Sequence, residues 1–197
     1  MKVVIIKYNA GNIQSVLFAL ERIGVGATVS DDPDQIISAD KVIFPGVGEA
    51  STAMQYLSER NLNKLICSLQ QPVLGICLGM QLMCDHSEEN NTSCLGIFEN
   101  VKVKKFDWAE NNLKIPQIGW NNITGLKTAL FNGIDSNSYC YYVHSYYAEL
   151  SKYTIATTEY GEIYSAALNK NNFFGVQFHP EKSATTGETI LKNFLAI

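Results

Sequence analysis

The 197-residue chain has no apolar run approaching the ~20 residues needed to cross a bilayer, so no membrane span is expected. Its first residues, MKVVIIKYNAGN, carry a charge and a short apolar run. Lys7 interrupts that run and no small-residue cleavage site follows, so a first β-strand is expected rather than a signal peptide. Basic charge is also scarce: 15 Lys and Arg stand against 19 Asp and Glu, a formal net charge of -4. The one dense cluster, KVKK at 102–105, alternates like a solvated edge strand, so nucleic acid is not an expected ligand. The five cysteines (67, 77, 84, 94 and 140) are odd in number and include no CxxC pair. That argues against a zinc site and a disulfide framework, and for a reducing cytoplasm. No metal and no cofactor is expected. Repeats, low-complexity segments and linkers are absent as well, so residues 1–197 are expected to form one domain.

The first hundred residues alternate strand and helix. KVVIIKY reads as a buried strand, followed by Ile13, Val16, Leu17, Leu20 and Ile23 at helical spacing up to Gly24. ATVS and KVIF are further strands, and PGVGEA closes the second of them. A helix carrying Met54, Leu57, Leu62, Leu65, Ile66 and Leu69 comes next, and then the strand PVLGI. Strands separated by helices imply right-handed crossovers and a mostly parallel sheet covered on both faces. Beyond residue 95, short strands (VKVKKF, KIPQIGW, SYCYYVHSYYAEL, TIATTEY, IYSAALN, FFGVQFH) follow one another through Asn- and Gly-rich turns. That half is expected to add antiparallel strands, and a helix over 184–195 closes an α/β fold.

Chemistry in such a sheet gathers where strands end in loops. In PVLGICLGMQLM, Cys77 sits at the corner between strand and helix with Gly75 and Gly79 on either side. Glycines there remove side chains that would clash in a nucleophile elbow, and the helix that follows aims its N–H groups at the sulfur. The competing reading is a buried cysteine in an apolar strand, the commonest fate of that residue, but core filling does not call for glycines on both sides. A thiol nucleophile needs a base, and only three histidines are present. His86, in CDHSEENN, reads as a surface residue in a loop past the helix. His144 lies in YYVHSYY. His179 ends the strand FGVQFH, with Glu181 two residues on. In extended chain, side chains two apart point the same way, so Glu181 can orient the imidazole and Pro180 holds the backbone out of a helix. PGVGEA offers backbone N–H groups for an oxyanion hole, with Val47 and Leu78 as candidate donors.

The elbow GICLGMQ and the later HPE, in that order, resemble the class I glutamine amidotransferase family. YNAGNIQSV, FPGVGEA, PVLGICLGMQLM, IPQIGWN, YYVHSYY and GVQFHPEKS extend the resemblance to the branch of glutaminase subunits that serve imidazole glycerol phosphate synthases. The resemblance implies a catalytic Cys77, His179 and Glu181, and an oxyanion hole from Val47 and Leu78. It further implies L-glutamine contacts from Gly48, Gln81, His144, Ser145 and Tyr146. The implied partner is a (β/α)8-barrel cyclase to which ammonia passes, with Asn12, Tyr142 and Lys182 on the rim that faces it. Asn9 and Gln117 depart from the branch's usual glycine and histidine. A paralogous subunit feeding a cell-surface sugar amidination enzyme stays open as the alternative. A free-standing cysteine hydrolase fits less well because the HPE glutamate and the elbow glutamine are both present, and a decayed binding module because the cysteine, histidine and glutamate all remain.

Overall fold

A computed structural model describes residues 1–9, 11–107 and 113–197. Its centre is a seven-stranded sheet. β1 (Val3–Ile6), β2 (Ala27–Ser30), β3 (Lys41–Phe44), β4 (Val73–Ile76) and β13 (Phe173–Val176) run parallel, and β12 (Glu162–Lys170) and β11 (Thr154–Tyr160) extend one edge antiparallel. The order is β11-β12-β13-β4-β3-β1-β2. The second half of the chain is thus not segregated from the first, because β13 inserts beside β4.

All four residues of β1 are buried, as β-branched residues covered on both faces should be. Val3 and Ile5 pack with Val16 and Leu20 of α1 (Ile13–Arg22) and with Ile190, Leu191 and Phe194 of the last helix, α6 (Ala184–Ala196). Val4 and Ile6 join Ile36 of α2 (Pro33–Ile37), Leu57 of α3 (Ala50–Glu59), and Leu62 and Ile66 of α4 (Leu62–Ser68). Each such side chain contributes about 1.5–3 kcal/mol by leaving water. The single helix expected through Leu69 is two, because Asn61 takes a left-handed φ of 55° and breaks it. α2 was not visible as a hydrophobic period. It is fixed instead by Asp32, whose carboxylate accepts from the N–H groups of Asp34 and Gln35, with Pro33 at the first helical position.

Beside this sheet lies a four-stranded one, ordered β10 (Tyr146–Ala148), β7 (Phe98–Lys105), β5 (Cys84–Ser87) and β6 (Thr92–Ser93). β8 (Gln117–Asn122) and β9 (Tyr139–His144) form an antiparallel pair. The helix after Cys77, α5 (Leu78–Leu82), is only five residues long. Cys84 therefore begins a strand rather than continuing that helix, and His86 is half-buried in β5 rather than in a loop. Among the described residues no helix is long and apolar enough to cross a membrane.

Candidate active site

Cys77 joins β4 to α5 with φ 53° and ψ -109°, a conformation that costs an L-residue about 1–3 kcal/mol. Hydrogen bonds on both sides hold it there: its N–H donates to Val176 (2.8 Å) and its carbonyl accepts from Gln81 N–H (3.1 Å). The flanking glycines answer a packing need, not a dihedral one. A Cβ on Gly79 would stand 1.9 Å from the Phe44 carbonyl oxygen, and one on Gly75 would stand 2.8 Å from the backbone nitrogen of Met80. They let α5 settle directly onto β3 and β4. A helix this short has a small macrodipole, so local groups must govern the sulfur.

The parallel pairing of β13 with β4 places Val176 opposite Ile76, and so carries His179 to the elbow. The histidine is 1% exposed. Its Nδ1 lies 2.7 Å from Glu181 Oε1, which leaves Nε2 for the thiol. The route to this contact differs from the extended segment expected. Pro180–Lys182 is a 3₁₀ turn, with Pro180 at its first position, and the turn folds the carboxylate back under the ring. Two residues outside the expected triad secure it, Ser183 and Asn12, the latter expected only on the partner-facing rim. Asn12 Nδ2 donates to Glu181 Oε1, and the Ser183 hydroxyl donates to the His179 carbonyl (2.6 Å) while accepting the Tyr141 N–H (2.9 Å). Burial works against a charged His179. The charge and hydrogen bond of the Cys77 sulfur and the Glu181 carboxylate outweigh it, lifting the imidazole to about 10.

A cleft of about 280 Å³ opens over Cys77. Gly48, Gln81, His144, Ser145 and Tyr146, expected at the substrate, line it together with Val47 and Leu78, expected at the oxyanion. Gln81 donates from Nε2 to the Tyr146 carbonyl (2.8 Å) and to Gln177 Oε1 (2.9 Å). His144 is engaged at both ring nitrogens, Nδ1 with the Tyr146 carbonyl at 2.7 Å and Nε2 with the Tyr164 hydroxyl at 3.3 Å, and burial lowers it to about 4. Glu89 also lines the cleft and was not foreseen, because EENN read only as a polar loop. It is the one carboxylate among the lining residues; burial raises it while a hydrogen bond from Ala50 N–H opposes the rise.

Neither of the two expected oxyanion donors is free. Leu78 N–H donates to the Gly46 carbonyl at 3.2 Å. In a trans peptide, N–H and C=O point oppositely, so a Gly46 carbonyl aimed at the elbow turns the Val47 N–H away from it. Below this loop Tyr8, buried, donates its hydroxyl to the Pro45 carbonyl at 2.6 Å.

Of the three residues expected on a partner-facing rim, Lys182 is exposed, with its ammonium 6.0 Å from the Tyr141 ring centroid. Asn12 is half-buried against the histidine–glutamate pair. Tyr142 corrects the expectation: it is fully buried, with its hydroxyl 2.6 Å from that of Thr158. Side chains alternate along β9, so its neighbours Tyr139, Tyr141 and Val143 face outward instead. They stand opposite Asn122, Trp120 and Ile118 of β8. Trp120 (52% exposed), Ile118 (63%) and Tyr139 (59%) make an apolar strip running toward the cleft, where Val143 also lies.

A cysteine on a strained elbow, a histidine–glutamate pair beside it and a cleft above them are the arrangement that cysteine-dependent amide chemistry requires. The sequence profile described as "Glutamine amidotransferase class-I" matches residues 4–197, and the chain belongs to that family. It is 54% identical, over the full length of both chains, to a Bacteroides fragilis protein named imidazole glycerol phosphate synthase subunit HisH. A Blochmanniella floridana protein of the same name is 51% identical, also over the whole of both chains. Among solved structures, a glutamine amidotransferase from Thermotoga maritima superposes with a TM-score of 0.63 at 18% identity, covering 100% of this chain and 83% of its own. A structure titled PurLQS from the same organism gives 0.70 at 14% identity, covering 99% and 97%. At those identities the likeness concerns the fold.

Proposed function

We propose that residues 1–197 act as one glutaminase unit, hydrolysing L-glutamine through a thioester on Cys77. The ammonia passes to a (β/α)8-barrel cyclase that forms imidazole glycerol phosphate and aminoimidazole carboxamide ribonucleotide. The observation that carries this reading is the line Cys77–His179–Glu181 beneath the cleft. Full-length identity to proteins named for that synthase supports the pathway, and five free cysteines suit a cytoplasmic setting.

The cysteine sulfur attacks the side-chain carboxamide carbon, and the carbonyl electron pair moves to oxygen. As the tetrahedral species collapses, the C–N bond breaks, and the His179 Nε2 proton goes to the departing nitrogen, releasing ammonia. His179 then takes a proton from water as that water attacks the thioester. The S–C bond breaks and glutamate leaves, so glutamine and water become glutamate and ammonia. Glu181 holds the ring in one tautomer throughout. The Glu89 carboxylate suits the α-ammonium of the substrate, leaving the corner 144–146 between β9 and β10, and Gly48, for its carboxylate end.

The Gly46–Val47 peptide acts as the gate. Its rotation would free Leu78 N–H and bring the Val47 N–H to the oxyanion, and Gly46 supplies the conformational freedom for that turn. Docking of the ligand-loaded cyclase against Trp120, Tyr139, Tyr141 and Lys182 would drive the rotation, so that glutamine is consumed only when ammonia has an acceptor. Ammonia release by the full chain, measured with and without the cyclase and its ribonucleotide, tests the reading. Strong activation by the pair is expected. An active thiol without activation would move the protein to another acceptor enzyme, such as a sugar-amidinating one.

A further inference from the structure

Gln177 lies one residue beyond β13, and its side chain is fully buried. A primary amide in that position is costly unless its donors and acceptor are matched. Its backbone N–H is used by Ala166 (2.8 Å), and its neighbour Val176 accepts the N–H of Cys77. The side chain therefore stands directly beside the elbow. Its Oε1 accepts from Gln81 Nε2 at 2.9 Å, and its Nε2 donates to Cys77 Sγ at 3.7 Å.

The direction of this chain follows from the backbone. The Tyr146 carbonyl can only accept, so the Gln81 atom 2.8 Å from it is the NH₂ group. The same NH₂ reaches Gln177, whose facing atom must then be the oxygen. That leaves the Gln177 NH₂ turned to the sulfur. The titratable groups around the sulfur are His179, Tyr8 and Tyr164. Tyr8 donates its O–H to the Pro45 carbonyl, and Tyr164 donates to Gln117 Oε1 at 2.9 Å. Neither is free to donate to sulfur.

We propose that Gln177 is a positioning residue of the glutaminase: its amide holds the Cys77 sulfur by a donated hydrogen bond and ties it, through Gln81, to the Tyr146 backbone at the cleft. The assignment rests on the glutaminase reading above. The bond fixes the sulfur's rotamer and favours its anionic form without adding a positive charge that would compete with His179 for the proton. It also makes the nucleophile and the substrate's seat ends of one hydrogen-bonded chain, so a shift of either is felt by the other.

The test is the pH dependence of iodoacetamide alkylation at Cys77, followed on the full chain by peptide mass spectrometry, alongside kcat and KM for glutamine with the cyclase present. Gln177→Met keeps the volume and removes the donor. The alkylation midpoint is expected to rise by about one pH unit, the rate near pH 7 to fall about tenfold, and kcat to fall more than KM rises. Gln177→Glu keeps the acceptor for Gln81 and replaces the donor, so its midpoint should move further in the same direction. If either folded variant keeps the wild-type midpoint and loses only thermal stability, Gln177 is packing and the proposal fails. Wild-type protein that does not hydrolyse glutamine with its partner would instead overturn the glutaminase reading, and would leave a midpoint shift standing.

Discussion

Leu78 N–H and the Gly46 carbonyl meet at 3.2 Å, so the residue after the nucleophile is bonded to the very loop that should oppose it across an oxyanion. One missing oxyanion donor typically costs about 10²–10³ in turnover. The isolated chain is therefore expected to hydrolyse glutamine slowly, with kcat rising at least about a hundredfold in the loaded complex and KM moving less. Equal kcat with and without the partner would show that this hydrogen bond does not limit the enzyme.

The roles proposed for Cys77, His179 and Glu181 predict an unequal series. Cys77→Ala should abolish thioester formation, and His179→Asn should lower kcat by about three orders of magnitude or more, as losing one member of a coupled set does. Glu181→Gln keeps a partner for Nδ1 but removes the charge, and is expected to leave measurable turnover. Steady-state rates in the assembled enzyme decide the order.

Glu89 is the lone carboxylate lining the cleft, where an amino-acid substrate must place an ammonium. Glu89→Gln is expected to raise the KM for glutamine by about tenfold, the scale of one charge-assisted hydrogen bond, while kcat changes less. A fall in kcat at constant KM would remove it from the substrate's ground-state contacts.

On the β8–β9 pair, adjacent tyrosines should behave oppositely. Trp120→Ala and Tyr141→Ala remove exposed aromatic surface, and each is expected to weaken cyclase binding by about tenfold or more with little loss of stability. Tyr142→Phe removes a buried hydroxyl bonded to Thr158, so it should cost about 1 kcal/mol of stability and leave affinity unchanged. Titration calorimetry and urea unfolding separate the two effects.

His144 predicts the acid side of the stability curve. Burial lowers it from 6.5 to about 4 in the folded chain. The unfolded chain thus takes up a proton that the folded chain refuses as pH falls below about 6.5, and the stability held above that value drains away down to about pH 4. The full window is on the order of 3 kcal/mol. Urea unfolding at pH 7.5, 5.5 and 4.5 should show this slope in the wild type and a shallower one in His144→Asn.

The local chemistry was legible because it is written in short stretches. A glycine-flanked cysteine after an apolar strand and a histidine two residues before a glutamate need no tertiary knowledge to be noticed. The strand–helix alternation up to β4 followed from hydrophobic period. What stayed hidden was relational. Period says nothing about which strands pair, so the insertion of β13 beside β4 could not be read. The break at Asn61 depends on a left-handed dihedral, and the early end of α5 on β5 pairing with β7. Tyr142 was readable in principle: two residues from the inward His144 on one strand, it had to face inward too. The orientation of the Gly46–Val47 peptide has no sequence signature, because a glycine leaves that backbone torsion free.

β13 is the last strand of the chain, yet it lies in the interior of the sheet, against the strand that carries the thiol. On a ribosome, the elbow would therefore be made long before the histidine that serves it. A nascent or truncated chain would hold a cysteine with no base and a sheet with a gap at its middle, and would be unable to consume glutamine. The histidine and glutamate come only with the end of the chain, whose strand fills the sheet and whose last helix packs against β1, so an incompletely made chain would carry the thiol without its partners.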